Sequence, residues 1–133
     1  MTDVKFTLSV LPETLAICRL EKDAPIPDWA LAASFVSITR TADEISIVAP
    51  EGDIPAGTKC VRGWSCLKLE GTFDLSSIGV LASLTGTLAH EGISVLALST
   101  FETDYLLVKA EDLEQAIRVL LEAGYQIRRS QGK

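Results

Sequence analysis

The stretch from Leu67 to Val108 constrains the fold of this chain more than any other part of the sequence. It begins within an alternating run, Gly63–Glu70, that predicts a β-strand. Apolar residues then recur at spacings of three and four, which predicts an amphipathic helix lying on a sheet. These residues are Ile78, Leu81, Leu84 and Leu88. We expect Asp74 to cap the start of this helix and Gly92 to end it.

Two apolar strands and a second helix complete the pattern. Ile93–Leu98 and Tyr105–Lys109 are predicted to form a hairpin that turns within 99–104. A second helix is predicted between about Glu111 and Gly124, before a last short strand. The resulting order, βαββαβ, predicts an α+β fold with an antiparallel sheet and both helices on one face.

The first half of the chain repeats this plan in a shortened form. Three strands and one short helix are predicted there: Thr14–Leu20, a helix between Pro27 and Ala33, Phe35–Arg40 and Glu44–Val48. The Pro and Gly content of Pro50–Gly57 predicts a loop. We therefore expect a degenerate N-terminal half, residues 1–62, and a complete C-terminal domain, residues 63–133, without a flexible linker.

Composition restricts the class of protein. The 133 residues are 47% hydrophobic, which is enough to bury a core, and the net charge of −6 argues against nucleic acid as a partner. The apolar runs are shorter than the ~20 residues that span a bilayer, and the N-terminus lacks a secretory pattern. The three cysteines form no C-x-x-C motif, so neither a zinc site nor a disulfide framework is indicated. We expect a cytoplasmic protein with reduced thiols, no cofactor and no membrane partner.

Two turns carry groups that can hold a free amino acid. A helix N-terminus offers N–H donors to a carboxylate, and an acidic side chain can accept from an ammonium group. The strand-to-helix segment Gly71–Val80 and the hairpin turn Ser99–Asp104 are predicted at the same or adjacent ends of neighbouring strands. A binding site there is one interpretation. Helix capping by Asp74 and turn formation by Ser99 and Thr100 are the structural alternatives.

The segments GWSCLKL and EGTFDLSSIGVLASLTGTLAHEGISVLALSTFETDYLLV resemble the ACT-domain family, in particular its small stand-alone tandem branch. This branch is similar to the ACT modules of aspartate kinases and of the CASTOR arginine sensors. The resemblance covers about Gly63–Tyr125 and implies two ferredoxin-like modules packed side by side, with an amino acid at their interface. The ligand-binding residues that it implies are Gly71, Thr72, Phe73, Asp74, Gly79, Val80, Ser99, Thr100 and Asp104. Thr72 and Phe73 stand where relatives carry a Pro-Leu pair, so the ligand's identity stays open.

Three other functional classes compete with a sensor. An enzyme is disfavoured because His90 is the sole histidine and no nucleophile–base pair or metal-ligand spacing is evident. An RNA-recognition module would present aromatic and basic side chains on the sheet, where this chain has ISVLAL and YLLVK. A structural or subunit-interaction module stays open, since continuous apolar strands require cover on both faces. We predict a non-catalytic sensor of a small amino acid that forms a homodimer, with any regulated enzyme being a separate partner.

Overall fold

The computed structural model describes residues 6–70 and 79–129, and these residues form two compact units. The strands are β1 (Thr7–Leu20), β2 (Ser37–Arg40), β3 (Ile45–Pro50), β4 (Cys60–Leu69), β5 (Val95–Ser99), β6 (Asp104–Lys109) and β7 (Gln126–Arg129). The α-helices are α1 (Asp28–Ala32), α2 (Val80–His90) and α3 (Leu113–Glu122). The predicted α+β class is confirmed.

The N-terminal unit spans Glu13–Trp64. In it β3 pairs antiparallel with both β2 and the C-terminal part of β1. The predicted short helix is α1, with five residues, and a single 3-10 turn at Glu51–Asp53 follows β3. The buried core of this unit consists of Ala16, Cys18, Ala30, Ile45, Ile47, Ala49 and Ile54.

The C-terminal unit carries the complete set of elements. Strand β6 lies between β4 and β5, and the β5–β6 hairpin is antiparallel from the pair Val95–Val108 to the pair Ser99–Asp104. Helices α2 and α3 pack on one core with the strands, because their apolar stripes face it. The fully buried side chains of this core include Leu67, Leu69, Leu84, Leu88, Leu106, Val108, Ala116 and Leu120.

Strand β1 is longer than the sequence pattern indicates and contributes to both units. It begins at Thr7 and not at Thr14, and Thr7–Val10 pairs in parallel with β7. Leu8 and Val10 are buried in the C-terminal core, which is why this short segment packs there. The compact units therefore differ from the expected domains 1–62 and 63–133, since residues 6–12 group with the C-terminal unit.

Strands β1 and β4 are neighbours and run antiparallel. In the N-terminal unit the Arg19 N–H donates to the Lys59 carbonyl (3.0 Å), and in the C-terminal unit the Glu70 N–H donates to the Thr7 carbonyl (2.8 Å). Residue numbers therefore rise along one strand as they fall along the other, as an antiparallel ladder requires. This direction fixes which side chains of the two strands face each other.

Glycine fixes both ends of α2. Gly79 has a left-handed backbone (φ 82°), so the helix begins at Val80 and does not extend back through residue 79 towards Asp74. At the other end Gly92 is also left-handed (φ 78°), and the Ile93 N–H returns to the Leu88 carbonyl. The predicted stop at Gly92 is confirmed, whereas the helix start lies later than predicted.

Candidate functional site

Ser99 and Asp104 close the β5–β6 hairpin as a directly opposed pair. The Ser99 hydroxyl donates a 2.7 Å hydrogen bond to Oδ1 of the Asp104 carboxylate. Such a bond to a charged acceptor is short and stronger than a neutral one. This bond fixes the half-buried Asp104 carboxylate beside the exposed Ser99, at the turn end of the hairpin. A carboxylate held in this way can accept hydrogen bonds from an ammonium group.

The turn between these two residues is closed by its own hydrogen bonds. The Thr100 N–H donates to the Thr103 carbonyl (2.8 Å). The Thr100 hydroxyl donates to the same carbonyl (3.1 Å) and accepts from the Thr103 N–H (3.3 Å). The N–H and the hydroxyl of Thr100 therefore both stabilise the turn, which is the structural alternative that the sequence indicates for this residue.

Thr103 attaches this turn to the end of β4. Its side chain is buried, and its hydroxyl donates a 2.6 Å hydrogen bond to the Leu69 carbonyl. Leu69 is the last residue of β4, so the hairpin turn lies beside the point where the chain leaves that strand.

Gly79 and Val80 form the start of α2. Gly79 is the N-cap residue, and its carbonyl accepts the first helical hydrogen bond, from the Ser83 N–H (2.9 Å). The N–H groups of the first turn have no acceptor within the helix and are suited to an anion. A Cβ added at Gly79 would meet no atom within 4 Å, so the glycine serves its backbone conformation and not a close contact.

The structure brings some of the predicted ligand residues together. Ser99, Thr100 and Asp104 form one hydrogen-bonded turn, whereas no hydrogen bond within the described residues joins this turn to Gly79 or Val80. Four predicted residues, Gly71, Thr72, Phe73 and Asp74, lie outside the described ranges. The structure therefore gives the geometry of the hairpin residues, and a ligand site at the hairpin and at the strand-to-helix segment stays a prediction.

Two residues of the turn were not singled out from the sequence. Thr103 anchors the turn, and the Phe101 side chain at its tip is 80% exposed. The Thr103 contact joins residues 34 positions apart, so no local pattern could indicate it. Phe101 could have been noticed as an aromatic residue in an otherwise polar turn, which is unusual for an exposed position.

A separate groove of about 470 Å³ lies between the C-terminal halves of α2 and α3. Its lining residues are Gly86, Thr87, His90, Glu91, Val119, Glu122 and Ala123. The described residues of the predicted site, on the hairpin turn and at Gly79 and Val80, do not line it. In residues 6–70 and 79–129 no three acidic, His or Cys side chains are grouped as metal ligands.

No helix in the part of the chain that the structure describes has the length and apolar character needed to cross a bilayer.

Comparisons with known proteins indicate the family to which segments of this chain belong. The family model described as ACT domain matches residues 59–122, and a second model, described as an N-terminal domain, matches residues 13–57. The comparison with curated proteins gave no match. The two matched segments correspond to most of the C-terminal unit and of the N-terminal unit.

Solved structures agree with these matches. A crystallised protein from Agrobacterium tumefaciens shares 37% identity over 98% of this chain and 97% of its own, with a TM-score of 0.91. The aspartokinase alpha and beta subunits share 20% identity over 90% of this chain and 98% of theirs, with a TM-score of 0.66. The ligand-free regulatory subunit of aspartate kinase from Thermus thermophilus shares 14% identity over 88% and 97%, with a TM-score of 0.60. The last two similarities concern the fold. The chain belongs to the ACT-domain family.

Proposed function

We propose that this chain is a non-catalytic regulatory protein that binds a small amino acid reversibly at an ACT–ACT interface. The first-turn N–H groups of α2 receive the ligand carboxylate, and Asp74 orients the ammonium group or fixes its own segment. Asp104 favours a polar or cationic ligand side chain, because a fixed carboxylate attracts positive charge. Ser99 and Thr100 shape the opposite side of the site.

The strongest support is the carboxylate of Asp104, held by Ser99 in a turn that Thr103 anchors to the end of β4. A binding group that is fixed before the ligand arrives costs less ordering entropy on binding. Membership of the ACT-domain family supports the same function, since the fold is that of a regulatory subunit of aspartate kinase. The amino-acid ligand and its interface extend beyond these observations and belong to the proposal.

In this proposal the protein acts in the cytoplasm as a homodimer, and the enzyme that it regulates is a separate chain. Occupancy of the site would be communicated through the dimer interface or the oligomeric state. Ligand binding can shift such an equilibrium only if the ligand binds one state more tightly than the other. Sedimentation analysis with and without the ligand tests this step, and an unchanged distribution would contradict it.

An interaction module that has lost ligand binding is the alternative function. The observation that favours it is exposed apolar surface on the hairpin, with Leu96 and Phe101 both accessible to solvent. Apolar patches that are exposed on a protein surface are frequent sites of protein–protein contact. In this alternative the hairpin contacts a partner protein and no metabolite is required.

Thermal denaturation of the purified full chain against each of the twenty amino acids separates the two functions. A ligand at 100 times its dissociation constant adds about 2.7 kcal/mol to the free energy of unfolding, which raises the melting temperature measurably. We expect a polar or cationic amino acid to do so. If no amino acid shifts the melting temperature, the sensor function is contradicted and the interaction module is favoured.

A further inference from the structure

Cys18 and Cys60 lie opposite each other on neighbouring strands of the N-terminal unit. The bond from the Arg19 N–H to the Lys59 carbonyl sets the register of β1 against β4 in this region. In an antiparallel pair with this register, residues 18 and 60 are opposed at a position without backbone hydrogen bonds. Side chains at such positions approach most closely, with Cα atoms about 4.5 Å apart. Disulfides span Cα separations of about 4.4–6.8 Å, so this pair has the spacing of a cross-strand disulfide.

The two thiols already interact in the reduced protein. All three cysteines of the chain are outside any disulfide, and Cys60 packs against the cluster that contains Cys18. Burial raises the pKa of the Cys18 thiol to about 11, and the neighbouring Cys60 adds to this shift by its charge and its hydrogen bond with Cys18. The register and the packing therefore place the two thiols side by side.

The two cysteines differ in their access to solvent. Cys18 is 1% exposed within the core, whereas Cys60 is half-buried at the first residue of β4. The segment that precedes Cys60 is largely exposed. A small oxidant therefore reaches Cys60 first, and Cys18 lies behind it as the second thiol. The third cysteine, Cys66, is fully buried in the C-terminal unit.

We propose that Cys18 and Cys60 form a reversible disulfide when the protein meets a peroxide. The Cys60 thiol gives up its proton, and its thiolate attacks one oxygen of hydrogen peroxide. The O–O bond breaks, Cys60 becomes a sulfenic acid, and the leaving hydroxide takes up the proton as one water. The Cys18 sulfur then attacks the Cys60 sulfur, and the hydroxyl leaves with the Cys18 proton as a second water. The two thiols lose two electrons and two protons, and the peroxide is reduced to two waters. A dithiol reductant reverses the reaction.

The disulfide joins β1 to β4, and most of the N-terminal unit lies between these two cysteines in the sequence. The closed loop runs from Cys18 to Cys60 and contains α1, β2 and β3. A cross-link over a loop of this length restricts the unfolded chain, so oxidation stabilises the unit against unfolding. This modification is independent of the proposed amino-acid site and is tested without any ligand.

Peroxide treatment of the full chain, followed by alkylation in denaturant, tests the pair directly. Intact mass and a non-reducing peptide map are measured for the wild type and for Cys18→Ser, Cys60→Ser and Cys66→Ser. We expect one alkylated thiol in the oxidised wild type, none in oxidised Cys66→Ser, and a peptide link between residues 18 and 60 in both. Reduction should restore every thiol.

The remaining variants distinguish a specific pair from general oxidation. Cys60→Ser, which changes the more accessible residue, should keep both of its thiols under the same treatment, and its circular dichroism should match that of the wild type. Cys18→Ser should form no link and should accumulate sulfenic or higher acids at Cys60. An oxidised wild type that keeps three alkylatable thiols, or whose link includes Cys66, overturns the proposal.

Discussion

The Thr103 hydroxyl donates a 2.6 Å hydrogen bond to the carbonyl oxygen of Leu69, and this bond joins the hairpin turn to the last residue of β4. The bond is buried, so water does not compete for either group. The turn of the β5–β6 hairpin is thereby held beside the end of β4 within the C-terminal unit. Thr103 is a positioning residue in this arrangement, since it fixes the turn that carries Asp104.

Replacement of Thr103 by Val keeps the shape of the side chain and removes the hydroxyl. The Leu69 carbonyl then loses its buried donor, which costs about 1–3 kcal/mol of unfolding free energy. Thr103→Ser retains the hydroxyl and is the matched control, with a smaller loss from the missing methyl group. Urea denaturation measures both variants. Equal unfolding free energies for the Val and Ser variants would contradict a role for this bond.

Replacement of Asp104 by Ala tests the proposed ligand contact. A hydrogen bond between a carboxylate and a charged ligand group contributes about 1.5–3 kcal/mol, so we expect affinity for a cationic or polar amino acid to fall by roughly ten- to a hundred-fold. Ser99 loses its acceptor in this variant, but it is exposed and water can replace the carboxylate. Calorimetric titration with the amino acid identified by thermal denaturation measures the loss.

Glu102→Ala is the matched control for Asp104→Ala. Glu102 is an exposed acidic residue of the same turn, and its removal changes the net charge of the chain by the same amount. We expect this variant to bind with the affinity of the wild type. If both variants lose affinity equally, the effect is general electrostatic attraction and Asp104 has no specific contact.

Local sequence patterns predicted the elements of the C-terminal unit because those patterns report local structure. The apolar spacing of three and four produced α2, and Gly92 ended it where the left-handed turn needs glycine. The apolar runs around the polar 99–104 segment produced the β5–β6 hairpin, with Ser99 opposite Asp104. Each of these features depends on residues that are close in sequence.

Pairing between strands that are distant in the sequence could not be predicted from such local patterns. The parallel pairing of Thr7–Val10 with β7 joins the two ends of the chain, and nothing in the local alternation of β1 identifies this partner. The bond between Thr103 and Leu69 is similar, since either residue alone has an ordinary strand or turn environment. The hairpin that carries the candidate residues could therefore be predicted from its residue types, whereas the contact that positions its turn could not.

Gly79 and Gly86 provide a paired test of backbone conformation in α2. A Cβ at either position meets no atom within 4 Å, so packing is unaffected by Ala. Gly79 has φ 82°, and an L residue there costs about 1–2 kcal/mol, so Gly79→Ala should destabilise the protein. Gly86 lies in the helix interior, where Ala is favoured over Gly by about 1 kcal/mol, so Gly86→Ala should stabilise it. Urea denaturation measures the change in unfolding free energy for each variant, and changes of the same sign would contradict the assigned helix start.

The buried Cys18 thiol makes stability depend on alkaline pH. Its pKa is raised from the usual 9.0 to about 11 by burial and by the neighbouring Cys60, so the folded protein retains a proton that the unfolded chain releases. The stabilisation is therefore complete below pH 9 and is lost as the pH rises through about 11. At about 1.4 kcal/mol per pKa unit the loss approaches 3 kcal/mol. Other groups also titrate in this range, so the comparison must be with Cys18→Ala, whose free energy of unfolding should fall less between pH 9 and pH 11 under reducing conditions. Parallel pH profiles for the two proteins would show that this thiol does not contribute.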